Sequence, residues 1–195
     1  MPVVFLYLKE MRRWVEKNKF RKLQLNQLEE FAQTNRKKKE DKILTEKFLK
    51  SDLLINAQKI GITLSMPLEV DTSEIIAQLW ELGKDVYIPR CLPKRQMEFT
   101  RFTYETQLTT TKFGVQENHE PDAFVDNNLD LIVVPLLAYG KAEHARLGFG
   151  GGYYDRFLAK NNLSKVSLVN SKQLIEKTAW PIEQTDIPIE NHITI

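Results

Sequence analysis

The chain is poor in the residues that build disulfide frameworks and metal clusters: 195 positions hold one cysteine, Cys91, and three histidines. A single thiol excludes an internal disulfide and fits a reducing compartment. From its neighbours Cys91 is expected to be a small buried or half-buried side chain near a strand end, not a nucleophile. Three histidines without ligand spacing exclude a zinc site of the usual kind. No apolar run approaches the length of a membrane-spanning helix. The opening VVFLYL is too short for a signal-peptide core, has no basic residue before it and runs into charges. A cytoplasmic protein that neither spans a membrane nor binds nucleic acid is the expectation. Glycine and proline are also missing from residues 9–54, which leaves that stretch free to be helical throughout.

Net charge is only +2, but it is unevenly spread. Residues 9–50 carry 14 Lys+Arg against 7 Asp+Glu, and the remainder 14 against 19. The basic N-terminal part therefore faces either an anionic ligand or the acidic body of its own domain. Within it Met11, Trp14, Val15, Leu23, Leu25, Leu28 and Phe31 make one imperfect helical stripe. Ile43, Leu44, Phe48 and Leu49 make a second, with a break near QTNRKKKED where Thr34 or Asn35 caps the second helix. The run Arg36–Lys39 has no interleaved aromatic to stack on bases and is expected to be a solvated helix face.

After Leu54 the pattern alternates. KIGITL predicts a strand, Ser73–Leu82 a helix capped by Thr72 and ended by Gly83, DVYIP and MEFTRF two strands, and KVSLVN another. Residues 109–128 are loop-rich. Strands separated by single helices predict an α/β fold: one three-layer domain with a largely parallel sheet flanked by helices and an N-terminal helical hairpin packed on it.

Four of the eight glycines fall in RLGFGGGYYDR, residues 146–156. An apolar run, Leu131–Leu137, precedes them as a strand, and YYDRFLAKN follows as a short amphipathic helix. Strand, glycine loop and helix start let bare backbone N–H groups approach phosphate oxygens. The spacing excludes a dinucleotide fingerprint, because Tyr153 stands where glycine or alanine is needed, and it excludes a Walker A loop, because Gly-Tyr-Tyr replaces Gly-Lys-Ser/Thr. Arg146 and Arg156 flank the loop, and Asp155 offers a carboxylate to a bridging metal or to the helix N-terminus. A plain flexible turn with Tyr153 and Tyr154 in the core remains the alternative reading of these residues taken alone.

The segment RLGFGGGYYDRFL resembles the 5-formyltetrahydrofolate cyclo-ligase family, also called methenyltetrahydrofolate synthetase. Other elements follow in the family's order: Lys17 and Arg21 as Lys-x-x-x-Arg, KIGITLSMPLEVDTSEIIAQLWELGKDVYIP, Met97 to Phe99, Gly114 to Glu117, and Gln173 and Asp186 near the C-terminus. The resemblance implies ATP- and magnesium-dependent cyclisation of 5-formyltetrahydrofolate to 5,10-methenyltetrahydrofolate by a monomer. It implies ATP contacts from Lys17, Arg21, Arg146, Leu147, Gly148, Phe149, Gly150, Gly151, Gly152, Tyr153 and Tyr154, with Arg146 stabilising the transferring charge. Leu64, Met66, Glu69, Gly150, Gly151, Gly152 and Tyr153 would bind the folate, and Asp155 and Asp186 the magnesium.

The chain departs from the family pattern in three places. Tyr139–Arg146 stands where Phe-Asp-x-x-Gly-x-Arg is usual, one residue longer, with the aspartate replaced and the glycine missing. LVNSKQ replaces a small apolar and aromatic pair before Gln173, and residues 1–16 extend beyond the usual start, with Met11 as a second available start. His144, in the altered stretch, is expected to be exposed and not catalytic. A folate- or nucleotide-binding protein that has lost turnover, a nucleic-acid module using the basic hairpin, and an enzyme of the same scaffold acting on another N-formyl substrate stand as alternatives.

Overall fold

The computed structural model describes residues 2–112 and 114–195, with side chains from Glu16 onward. Of the extension expected over residues 1–16, residues 2–16 form the N-terminal part of α1, and the side chains before Glu16 lie outside the description. Helices α1 (Pro2–Ala32) and α2 (Asn35–Leu49) form the expected hairpin. The chain turns between them because the Thr34 hydroxyl accepts the Lys37 N–H at 3.2 Å, occupying a donor that the first turn of α2 leaves free. Ser51 caps α3 (Asp52–Ile55) in the same way.

The remaining elements are β1 (Lys59–Gly61), α4 (Ser73–Glu81), β2 (Asp85–Leu92), β3 (Gln96–Arg101), β4 (Thr109–Thr110), β5 (Gln116–Glu117), β6 (Leu131–Val133), β7 (Ala138–Gly140), β8 (Ala145–Leu147), α5 (Tyr153–Leu158), β9 (Ser164–Val169), β10 (Leu174–Ile175) and β11 (Asn191–Thr194). The main sheet runs β11-β9-β6-β1-β2-β3, parallel except for the antiparallel edge strand β3. Side chains alternate across it. Ile60, Val86, Ile88, Leu131, Val133, Val166 and Leu168 face the core shared with Leu44, Phe48, Leu54, Ile75, Ile76 and Leu79 of α2, α3 and α4. Tyr87, Phe99, Ile132, Val134 and Val169 face the other way, onto Phe157 and Leu158 of α5. These two cores make three layers, as the alternation of strands and helices predicts. Gly61 has no side chain for a packing reason: a Cβ there would stand 2.7 to 2.9 Å from Leu129, Ile132 and Phe99.

A second sheet, β10-β7-β8, sits beside the first, and Leu137, Ala138, Ala145 and Leu147 on and beside its strands form one core cluster with Trp180 and Leu28 of α1. The long helix therefore docks onto this small sheet while α2 docks onto the large one.

Several expectations need correction. The apolar run Leu131–Leu137 is not one strand feeding the glycine loop: β6 stops at Val133, and the β7–β8 hairpin intervenes. Strand β1 covers only the first half of KIGITL. Thr72 precedes α4, but its hydroxyl donates to the Thr63 carbonyl at 2.7 Å, and Asp71 accepts the Ser73 N–H instead. Lys37 is buried and paired with Asp41 at 2.5 Å, so only its neighbours in the basic run are solvated. Cys91 is exposed. Among the described residues no helix is long and apolar enough to cross a membrane.

Candidate active site

Sheet order places the site before any side chain does. From β1 the chain moves outward to β2 and β3; from β6 it moves the opposite way, to β9 and β11. The order reverses between β1 and β6, and in open α/β sheets ligands bind in the crevice beyond the carboxyl ends of strands at such a point. Residues following those two strands line a cavity of about 20 Å³ there: Thr63, Glu69, Val70 and Thr72 after β1, and Val133 to Leu136 on the β6 side, with Leu168 and Gln173 closing it.

Glu69 is 7 % exposed and accepts the Met66 N–H at 2.7 Å. Burial pushes its carboxyl up to about 6, against the Met66 hydrogen bond and the Lys37 charge, which favour the anion. Met66 is half-buried, and Leu64 packs partly against the main core. Gln173 is held rigid, donating to the Leu136 carbonyl and accepting the Asn170 N–H.

Arg146 connects this crevice to the glycine loop. Its backbone sits in the β7–β8 ladder opposite Tyr139, so the extra residue of the altered stretch is absorbed in the turn, where His144 adopts φ +51. His144 is exposed, as expected, and its Nδ1 lies 3.0 Å from the Tyr139 hydroxyl. The guanidinium of Arg146, 7 % exposed, donates to the Pro135 carbonyl at 3.1 Å and to Asp155 at 2.9 Å. It also lies 5.7 Å from the centre of the Tyr154 ring. Its Nε and the Tyr154 hydroxyl are buried with no hydrogen-bond partner among the described residues. Orphaned buried polar atoms cost about 1–3 kcal/mol each, a cost that a ligand atom reaching these two would relieve.

A cluster of alternating charge surrounds the loop. Lys17 of α1, 2 % exposed, donates to both carboxylate oxygens of Asp186 at 2.6 and 2.7 Å and to Glu183 at 3.3 Å. Arg21, one helical turn on, donates to the Gly148 carbonyl at 2.9 Å. Desolvation lowers the Arg21 pKa while Glu183, Asp186 and Asp155 act to raise it, which places three carboxylates around one guanidinium. The Ile187 N–H donates to Asp155 at 3.3 Å, bringing Asp155 and Asp186 to the same corner. Gly150 and Gly152 have φ of +102 and +68, a backbone that other residues avoid. Phe149 is exposed between them and the hairpin, whereas the Leu147 side chain is fully buried in the core.

Lys17, Arg21, Arg146, the glycines, Asp155 and Asp186 thus come together, and Glu69 joins them across Pro135 and Tyr154. Burial raises the Tyr154 hydroxyl well above its ordinary value; Glu69 and Cys91 act in the same direction and Arg146 against it. Glu183 and the Pro135 carbonyl contact Lys17 and Arg146 and carry no sequence signal. Folding also brings Glu117 to Cys91: it accepts the Cys91 N–H at 3.1 Å and contacts His119 Nε2 at 2.9 Å. Desolvation and this carboxylate push the thiol up to about 12, so exposure does not make it reactive.

Known proteins match this chain in sequence and in fold. Residues 13–195 fit the model of the 5-formyltetrahydrofolate cyclo-ligase family. The chain is 32% identical over 151 residues to the 5-formyltetrahydrofolate cyclo-ligase of Escherichia coli K12, covering 72% of this chain and 80% of that one. It is 34% identical over 126 residues to the enzyme of the same name from Mus musculus, covering 60% and 62%. The solved 5,10-methenyltetrahydrofolate synthetase of Aquifex aeolicus superposes with a TM-score of 0.75 at 24% identity over 91% of this chain and 89% of that one. The synthetase of Mycoplasma pneumoniae gives 0.69 at 19% over 91% and 98%. These structures share the fold, and the sequence match shows the rest: the chain belongs to the 5-formyltetrahydrofolate cyclo-ligase family and is a ligase.

Proposed function

We propose that the protein, acting as a single-domain monomer, converts 5-formyltetrahydrofolate and ATP to 5,10-methenyltetrahydrofolate, ADP and phosphate. The observation that carries this reading is Arg146, fixed by Pro135 and Asp155 between the Glu69 crevice and the glycine loop, with Nε left for a ligand.

An N-formyl carbon is too weak an electrophile for N10 to expel its oxygen. The formyl oxygen therefore attacks the γ-phosphorus of ATP, the bond to the β-phosphate oxygen breaks, and ADP leaves. N10 then adds to the formyl carbon, the C–O bond breaks with phosphate as the leaving group, and the N10 proton is lost. Phosphoryl transfer of this kind asks a protein for position and charge more than for covalent help. Arg146 supplies a fixed, buried fork to the transferring oxygens. The N–H groups of Gly148, Phe149, Gly150, Gly151 and Gly152 wrap the phosphates, with Lys17 and Arg21 above them on one face of α1. Glu69 accepts from the pterin N–H edge in a bidentate pair, and Leu64, Met66 and Tyr153 bound the ring.

Magnesium fits the carboxylates present. Asp155 and Asp186 meet at one corner and are each already matched to a cation, Arg146 and Lys17, whose charge phosphate oxygens would take over. Two carboxylates with phosphate oxygens and water are a usual magnesium shell. The metal would neutralise phosphate charge there.

Mixing the protein with 5-formyltetrahydrofolate, ATP and magnesium and following the near-ultraviolet methenyl chromophore tests the reading. A rise that requires ATP supports it; no rise, with both substrates bound by calorimetry, would leave a binding protein instead.

A further inference from the structure

Lys37 breaks two local rules at once. It stands in the first turn of α2, where the helix dipole disfavours a cation and no acidic residue compensates. It is also buried, an environment that lysine tolerates only when paired. Its partner is Asp41, one helical turn on at 2.5 Å and buried as well. Exchanging such a pair for apolar residues is often neutral or stabilising. Fold stability therefore gives no reason for the pair, and its surroundings do.

The loop that carries Glu69 packs on this part of α2. Val70 shares a core with Leu44 and Phe48 of the helix. Asp41 senses both the charge and the N–H of Asp71, two residues after Glu69, and Asp71 in turn accepts the Ser73 N–H at 2.9 Å. The neighbouring pair on α2, Arg36 and Glu40, holds the opposite wall of the crevice. Glu40 accepts the Ser171 N–H and hydroxyl, both at 2.8 Å, two residues before Gln173. Two adjacent ion pairs of one helix thus grip the two loops between which Glu69 and Gln173 line the cavity. Among the described residues, the titratable groups facing Glu69 are Lys37 from α2, with Asp41 beside it, and Tyr154 from α5, which meets Arg146. Asp71 follows on its own loop, and the walls from β6 and β9 carry no charge. Burial resists a charge on Glu69, whereas the Met66 N–H and the Lys37 ammonium favour it.

We propose that Lys37, oriented by Asp41, is a positioning residue for substrate binding: its ammonium keeps the Glu69 carboxylate ionised, so that both oxygens can accept from the pterin N–H edge. The inference rests on the proposed function, since it takes the pterin to lie at Glu69. The sign of the pH dependence follows. A protonated Glu69 has a donor where the substrate needs an acceptor. Folate affinity should therefore rise with pH through the range in which Glu69 ionises, about 6, and then level off.

The test is calorimetric titration with 5-formyltetrahydrofolate, without ATP, from about pH 5.5 to about pH 8.5. Lys37→Met should move the midpoint of the affinity profile up by about one pH unit, which weakens binding roughly fivefold near pH 6 and hardly at all above about pH 8. Lys37→Arg should restore the wild-type profile. Asp41→Asn, which leaves the Lys37 charge unmatched, should move the midpoint down. A purely structural pair would weaken binding at every pH and in the same direction for both partners. Should Lys37→Met not fold, the double variant Lys37→Met with Asp41→Leu replaces the pair by apolar groups and should show the same upward shift. A wild-type midpoint in whichever of these two folds would overturn the role of Lys37 and leave the cyclo-ligase reading intact. No binding of 5-formyltetrahydrofolate by the wild type at any pH would overturn both.

Discussion

Lys17 Nζ lies 2.6 and 2.7 Å from the two carboxylate oxygens of Asp186, 169 positions away in sequence. This pair fastens α1 to the C-terminal segment at the edge of the glycine loop. Removing one partner strands a charge in a largely dry place, so Lys17→Met and Asp186→Asn should each destabilise the protein by about 3 kcal/mol. The double variant should recover much of that loss, because the only charge left without its partner is that of the partly exposed Glu183. If Lys17 also meets phosphate, the double variant will keep a raised KM for ATP despite its restored stability. Thermal unfolding and ATP kinetics on the three proteins separate the two roles, and a double variant with wild-type ATP kinetics would confine Lys17 to structure.

Arg146 is held by two acceptors and retains a free Nε. Replacing it with alanine should lower kcat by about a hundredfold with smaller changes in either KM, as loss of a fixed donor to developing charge does. Arg146→Lys should fail nearly as badly, since a point charge cannot span Pro135, Asp155 and a ligand oxygen together. Near-normal turnover in the alanine variant would remove Arg146 from the transition state.

Glu69 carries a pH signature. The folded protein holds its proton up to about pH 6, whereas the unfolded chain releases it near the ordinary glutamate value of 4.5. Between those limits the folded state binds more protons, so its stability falls as pH rises through the window. Above it the buried anion costs about 2 kcal/mol. Glu69→Gln should therefore raise the unfolding temperature at neutral pH, with the gain vanishing below pH 4.5. The same substitution should raise the folate KM far more than the ATP KM. Equal effects on both substrates would take Glu69 out of the folate pocket.

Gly150 adopts φ +102, and a Cβ there would stand 3.6 Å from the Arg21 guanidinium. Space is adequate and the backbone is not, so Gly150→Ala should cost about 1–3 kcal/mol through strain at that residue. The loop should relieve it by turning N–H groups away from the phosphates. Weakened ATP binding by calorimetry with folate binding kept is the expected result; unaltered ATP binding would mean the loop does not need this shape.

Much of the fold was readable because it depends on local pattern. Thr34 before a charged helix, alternating Val86–Tyr87–Ile88, and glycines gathered at 148–152 are signals that short-range physics makes explicit. The β7–β8 hairpin was not readable: three-residue strands such as Ala145–Leu147 leave no periodicity, and their pairing is decided by Leu28 and Trp180 from elsewhere in the chain. Lys37 read as solvated because its partner Asp41 shows only that a pair can form, not that both sink below the surface. Thr72 read as a cap because type and position fit, yet the Thr63 carbonyl outcompetes the helix for its hydroxyl. The candidate site residues were named through family resemblance, while the contacts of Lys17 with Asp186 and Glu183 and of Arg146 with the Pro135 carbonyl required the three-dimensional arrangement.

The central claim is that the formyl oxygen leaves as phosphate, and isotope transfer tests it most directly. 5-Formyltetrahydrofolate labelled with oxygen-18 at the formyl group would be converted with unlabelled ATP and magnesium, and the released phosphate examined by mass spectrometry. The account predicts one labelled oxygen in phosphate for each methenyl product formed. Label appearing in water, or methenyl product forming without ATP consumption, would contradict it.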